Sequence, residues 1–93
     1  MIKSFADKET KKIYNLEFSK GLPPDVQQTA LMKLKNISYA ININDLRVPP
    51  SNHLEVLKGD RKGKHSIRIN SKWRICFRWV DGSAYDVEIV DYH

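Results

Sequence analysis

Trp73-Arg74-Ile75-Cys76-Phe77-Arg78-Trp79 sets its large apolar side chains at odd positions and its charged or small ones at even positions. Successive side chains on an extended strand point to opposite faces, so this run predicts a half-buried β-strand. The flanking segments keep the same parity, with Ile67 and Ile69 before it and Tyr85, Val87 and Ile89 after it. Placing all three apolar sets on one side of an antiparallel sheet requires odd-length loops. Asn70-Ser71-Lys72 and Asp81-Gly82-Ser83 fit, and Gly82 suits the positive φ of a three-residue hairpin with a bulge. The predicted register puts Ile67 opposite Ile75, Ile69 opposite Trp73, His65 and Val87 opposite Phe77, and Trp79 opposite Tyr85. On the other face Arg68 meets Arg74, and Arg78 meets Asp86. Opposed arginines repel by up to about 1 kcal/mol, and an anion between them would relieve it.

Toward the N-terminus the period lengthens. Ile2-Lys3-Ser4-Phe5 alternates as a short first strand. Asp7 is the expected N-cap of a helix running to about Lys20, stopped by Gly21. Pro23-Pro24-Asp25 opens a second helix, on which Val26, Ala30, Leu34 and Ile37 share one face. Residues 40–53 read as irregular connection. The expected fold class is α+β: two N-terminal helices packed on one face of a mainly antiparallel β-sheet of about four to five strands. The opposite face is expected to be basic and open, and residues 1–93 to form a single domain.

Charge is uneven along the 93 residues. The total of +5 conceals a segment, residues 47–80, with nine basic side chains against Glu55 and Asp60. Residues 81–93 carry four acids and no Lys or Arg. Such a block is the footprint of a polyanion binder. The longest charge-free run is the nine residues between Lys35 and Asp45, far short of the roughly 20 a membrane span needs. No secretory signal is evident at the N-terminus, so a soluble, cytoplasmic domain is expected. Lone Cys76 excludes an internal disulfide, and His53, His65 and His93 lack a recognised metal spacing. No metal and no cofactor are expected. Cys76 reads as a small strand residue, and His65 equally as a partly buried structural histidine or a functional one.

Two segments could carry chemistry. Leu57-Lys58-Gly59-Asp60-Arg61-Lys62-Gly63 is a basic turn whose Lys58 and Arg61 can approach phosphate from a rim. Asp91-Tyr92-His93 gathers a carboxylate, a phenol and an imidazole directly after the last strand. Arginines on a sheet face, a basic loop, an aromatic ring for stacking and a titrating group near neutrality are the requirements of RNA transesterification. Histidine titrates in that range.

Leu54-Glu55-Val56-Leu57-Lys58-Gly59-Asp60-Arg61, His65-Ser66-Ile67-Arg68-Ile69-Asn70, the Trp73–Trp79 strand and Val87-Glu88-Ile89-Val90-Asp91-Tyr92-His93 together resemble the HigB toxins of the RelE superfamily. The Met1–Phe5 opening and the Gly21-Leu22-Pro23 break are similar too, so the likeness covers essentially the whole chain. It implies a RelE-like sheet and the toxin half of a type II toxin–antitoxin pair. Such a toxin enters the A site of the 70S ribosome and cuts mRNA without metal, and a HigA-like helix-turn-helix antitoxin neutralises it. By matching position, the resemblance implies that Lys58, Arg74, Asp91, Tyr92 and His93 are catalytic. Arg61, Arg68, Lys62, Lys64 and Lys72 are expected to bind RNA from the charge pattern. Some relatives place a histidine three residues before the motif lysine, where this chain has Glu55. The group taking the 2′-hydroxyl proton is thus open between His93 and Asp91, with ribosomal positioning as a further contribution. The alternative is a non-catalytic basic RNA- or ribosome-binding module, which the basic block supports equally and the Asp-Tyr-His terminus does not.

Overall fold

A computed structural model describes residues 1–59 and 63–91. Expectations that fall on Asp60, Arg61, Lys62, Tyr92 and His93 lie outside the described residues. Helices α1 (Lys8–Tyr14) and α2 (Pro24–Tyr39) come first, then two short 3-10 turns, Ile43–Arg47 and Pro50–Asn52. Strands β1 (Glu55–Val56), β2 (Lys64–Arg68), β3 (Trp73–Val80) and β4 (Ser83–Asp91) follow. They form an antiparallel sheet in the order β1-β2-β3-β4. Both helices pack on one face.

The core is built from the two predicted periodicities. On α2, Val26, Ala30, Leu34 and Ile37 are buried, at spacings that keep them on one stripe. They meet Ile67, Ile75, Phe77, Ala84 and Val87 from the sheet. Each fully buried large apolar side chain contributes about 1.5–3 kcal/mol of transfer free energy. The β2–β3 register is as expected, with Ile67 opposite Ile75, His65 opposite Phe77 and Arg68 opposite Arg74. Asn70 closes the intervening turn, its side-chain oxygen accepting from the Lys72 and Trp73 amides.

The β3–β4 hairpin departs from expectation. Val80 pairs with Ser83, so the loop is two residues, Asp81 and Gly82, both with positive φ (49° and 79°). That is a type I′ turn, whose twist matches the strands it joins. A Cβ at Gly82 would sit 3.2 Å from the Ile41 carbonyl oxygen. The missing residue is restored further along by a bulge at Asp86 (φ 54°), after which Ile75 pairs with Ile89. Between turn and bulge the parity is therefore inverted. Ala84, not Tyr85, enters the core, and Trp79 pairs with Ala84. Ser4 holds the bulge: its hydroxyl accepts from the Asp86 amide at 2.9 Å, and its carbonyl accepts from Val87 at 3.1 Å.

Three further expectations change. The N-terminal segment forms no regular strand but touches β4 in parallel, at Ile2–Ala84 and Phe5–Val87. Helix α1 stops at Tyr14 rather than Lys20. The amide of Glu17 donates to Lys12 O and that of Leu16 to Ile13 O, with Leu16 at φ 66°. This is the doubled C-terminal closure usually made with glycine. Beyond it, Ser19 donates to Glu9 and exchanges bonds with Gln27 across to α2. Finally, residues 40–53 are ordered by a reciprocal cap at Asn42 and Asp45 rather than irregular. Asp45 accepts from the Asn42 and Ile41 amides, which hold its carboxyl below the usual range.

Candidate active site

The face of the sheet turned away from the helices carries Glu55, Ser66, Arg68, Arg74, Cys76, Glu88 and Val90 by register. Its centre is closed, not open: Ser66, Arg74 and Cys76 are all buried. Its charge is also mixed, because Glu55 and Glu88 share it with the arginines.

Arg74 is 7% exposed, and its guanidinium is held from several directions. Nε donates to Ser66 Oγ at 2.9 Å, and Nη2 donates to Ser66 O at 3.3 Å and to the His53 carbonyl. Nη1 lies 3.9 Å from a Glu55 carboxylate oxygen. The opposed Arg68–Arg74 pair is therefore accommodated by acceptors from the protein itself, where an anion was expected. A planar fork fixed in this way costs little entropy when it meets a phosphate.

The remaining predicted positions separate into two ends of the sheet. Arg68, half-buried, faces Arg74 across β2 and β3. Exposed Lys58 follows β1, where the Leu57 amide donates to Lys64 O. Lys64 and Arg78 pair four residues along from Arg68 and Arg74, roughly 13 Å away at strand rise. The structure does not bring them to the Arg74 cluster. Arg78 instead contacts Asp86 at 3.3 Å, the predicted partner though not the register partner, and lies 5.0 Å from the Tyr85 ring centroid.

Asp91 ends β4 opposite Trp73, on the helix side of the sheet, whereas Arg74 and Val90 pair on the other side. Its carboxylate lies 3.8 Å from Lys72 Nζ, which sits 5.5 Å from the Trp73 ring. Two residues earlier the Ile89 amide donates to buried Thr10 Oγ1, fastening this end of β4 to α1. Arg74 and Asp91 thus share an end of the sheet but not a face. His65 stacks on Phe77 with ring centroids 6.1 Å apart, and burial lowers its pKa. Among the described residues no three His, Cys, Asp or Glu side chains gather as a metal site.

Sequence reasoning missed Ser66, the His53 carbonyl and the role of Glu55. Ser66 shares the even parity of Arg68 and Arg74, so its face was legible, but its bond to Arg74 was not.

The family described as "RelE-like toxin of type II toxin-antitoxin system HigB" matches residues 3–93. The chain belongs to this family of HigB-like toxins. It is 40% identical over 85 residues to "Toxin HigB-1" of Vibrio cholerae serotype O1, covering 90% of each chain. It is 36% identical over 93 residues to "Endoribonuclease HigB" of Proteus vulgaris, covering both completely. Among solved structures it resembles the YoeB–YefM complex from Staphylococcus aureus, with TM-score 0.63, 18% identity and coverage of 100% and 98%. YafQ from E. coli matches with TM-score 0.58, 13% identity and coverage of 98% and 93%. The fold is that of the RelE-like toxins. No described helix is long and apolar enough to cross a membrane.

Proposed function

We propose that this toxin is a cytoplasmic, metal-independent endoribonuclease that cuts mRNA in the ribosomal A site and is neutralised by a HigA-like antitoxin. The observation carrying the reading is the full-length likeness to the Proteus vulgaris endoribonuclease. The fixed guanidinium of Arg74 on the sheet supports it chemically.

The reaction is an internal transesterification. The 2′-oxygen attacks the adjacent phosphorus, its proton passes to a base, and the P–O5′ bond breaks as an acid protonates the leaving oxygen. The products are a 2′,3′-cyclic phosphate and a 5′-hydroxyl. In this scheme Arg74 and Lys58 stabilise the charge of the pentacoordinate phosphorane. Tyr92 orients the nucleotide, and His93, with Asp91 two residues before it, handles the protons near neutral pH. Arg61, Arg68, Lys62, Lys64 and Lys72 guide the RNA backbone. Ribosomal alignment of the 2′-oxygen with the scissile phosphate supplies much of the rate, since positioning alone is worth up to about 7–11 kcal/mol.

The test is cleavage of ribosome-bound mRNA by the intact chain and by a chain lacking residues 91–93. The full chain is expected to leave codon-phased cuts ending in cyclic phosphate, and the shortened one, equally folded, to leave the RNA intact. Binding without cutting by the full chain would favour the non-catalytic RNA-binding alternative.

A further inference from the structure

Lys33 stands on the apolar stripe of α2 and is only 6% exposed. Its ammonium donates to the side-chain oxygen of Asn52, itself completely buried. Asn52 Nδ2 donates in turn to the carbonyls of Leu46 and Val48, at 3.1 and 3.3 Å. One side chain thus ties α2 to the middle of the connection before the sheet. The next residue, His53, is left-handed at φ 44° and ψ 57°, and its carbonyl accepts from Arg74 Nη2. Two residues on, Glu55 reaches the same guanidinium. An apolar residue would suit the stripe at position 33, and burial lowers the lysine's pKa. The charge therefore does not serve packing.

We propose that Lys33 and Asn52 are a buried pair of positioning residues that set the His53 turn against Arg74, so that helix α2 fixes the guanidinium used on RNA. This rests on the reading of the Arg74 face as the cleaving surface. Asn52 is fitted to the task because its amide both accepts from Lys33 and donates to two carbonyls. Displacement of a catalytic group by about 1 Å is enough to cost on the order of 100-fold in rate.

The experiment is single-turnover cleavage of ribosome-bound mRNA by the full chain carrying Lys33→Met and Asn52→Leu together, with thermal melting alongside. The double change replaces a polar pair by an apolar one and so keeps burial intact. The melting temperature is expected to fall, since the Leu46 and Val48 carbonyls lose their donor, so cleavage is read at a temperature where parent and variant are both folded. The maximal cleavage rate is expected to fall ~10-fold or more, and the half-saturating toxin concentration to stay within about twofold. A purely structural pair would lower the melting temperature and leave cleavage by the folded chain unchanged, so parental cleavage by the double variant would overturn the proposal. If that variant fails to fold, Asn52→Asp takes its place: it keeps an acceptor for Lys33 and loses the donors to Leu46 and Val48. The same fall in maximal rate is expected, and parental cleavage would again overturn the pairing. Arg74→Ala is run in parallel. Loss of cleavage there with none in the pair variants removes only this proposal, whereas parental cleavage by Arg74→Ala removes it together with the reading of the Arg74 face as the cleaving surface.

Discussion

Arg74 and Arg78 stand four residues apart on β3, on the same face of the sheet, yet the molecule treats them oppositely. Arg74 is buried, with Ser66, the His53 carbonyl and Glu55 around its fork. Arg78 is exposed, held by one carboxylate and an aromatic ring. In sequence both belong to one basic block, and parity sets Arg74 against Arg68 and Arg78 against Asp86. The difference lies in what the fold brings beside each. Around Arg74, carbonyl and hydroxyl oxygens converge where the connection before β1 meets the sheet.

The contrast can be broken or sharpened by substitution. Arg74→Ala should have the largest effect on folding, lowering stability by about 2–4 kcal/mol in denaturant unfolding, because several charge-assisted bonds in a buried site are lost together. Ser66→Ala comes next, at about 1.5–3 kcal/mol, since it removes the acceptor of Arg74 Nε. A cost near zero would mean that the guanidinium does not depend on that hydroxyl. Arg78→Ala should change stability by less than about 1 kcal/mol, the range of exposed ion pairs.

A pH effect separates the helix side of the sheet from the arginine side. Burial of the His65 ring against Phe77 holds its pKa below the ordinary value of 6.5. The unfolded chain therefore binds a proton before the folded one does. Stability that is fully present above about pH 6.5 is lost as pH falls through the folded pKa. The melting temperature of the parent should decline across that window, and His65→Phe should remove that part of the decline. A parent whose melting is flat from pH 7 to 5 would contradict the assignment.

The periodic elements were legible in sequence because each obeys one local rule. The stripe of α2 and the odd parity of β2, β3 and the distal half of β4 are of this kind. What escaped was set by residues far away. The bulge at Asp86 depends on Ser4, from the other end of the chain, so the hairpin loop was read one residue too long and Tyr85 was placed in the core. Helix α1 closes with Leu16 in the left-handed position, where no glycine announces the stop. At the proposed site, parity made Arg68 and Arg74 legible as facing neighbours. It could not show that Arg74 would be enclosed, because Ser66, His53 and Glu55 join it only through tertiary structure. Asp91 shares the odd parity of Val87 and Ile89, so its separation from the arginine face was legible, and the register of β4 after the bulge agrees.

The most direct measurement sets Arg74→Ala beside Arg78→Ala in single-turnover cleavage of ribosome-bound mRNA, at a temperature where both remain folded. Arg74→Ala should cut ~10-fold or more slowly than the parent, and Arg78→Ala within about twofold of it. Equal losses, or a greater loss at Arg78, would contradict the assignment of the phosphate-stabilising role to the enclosed guanidinium.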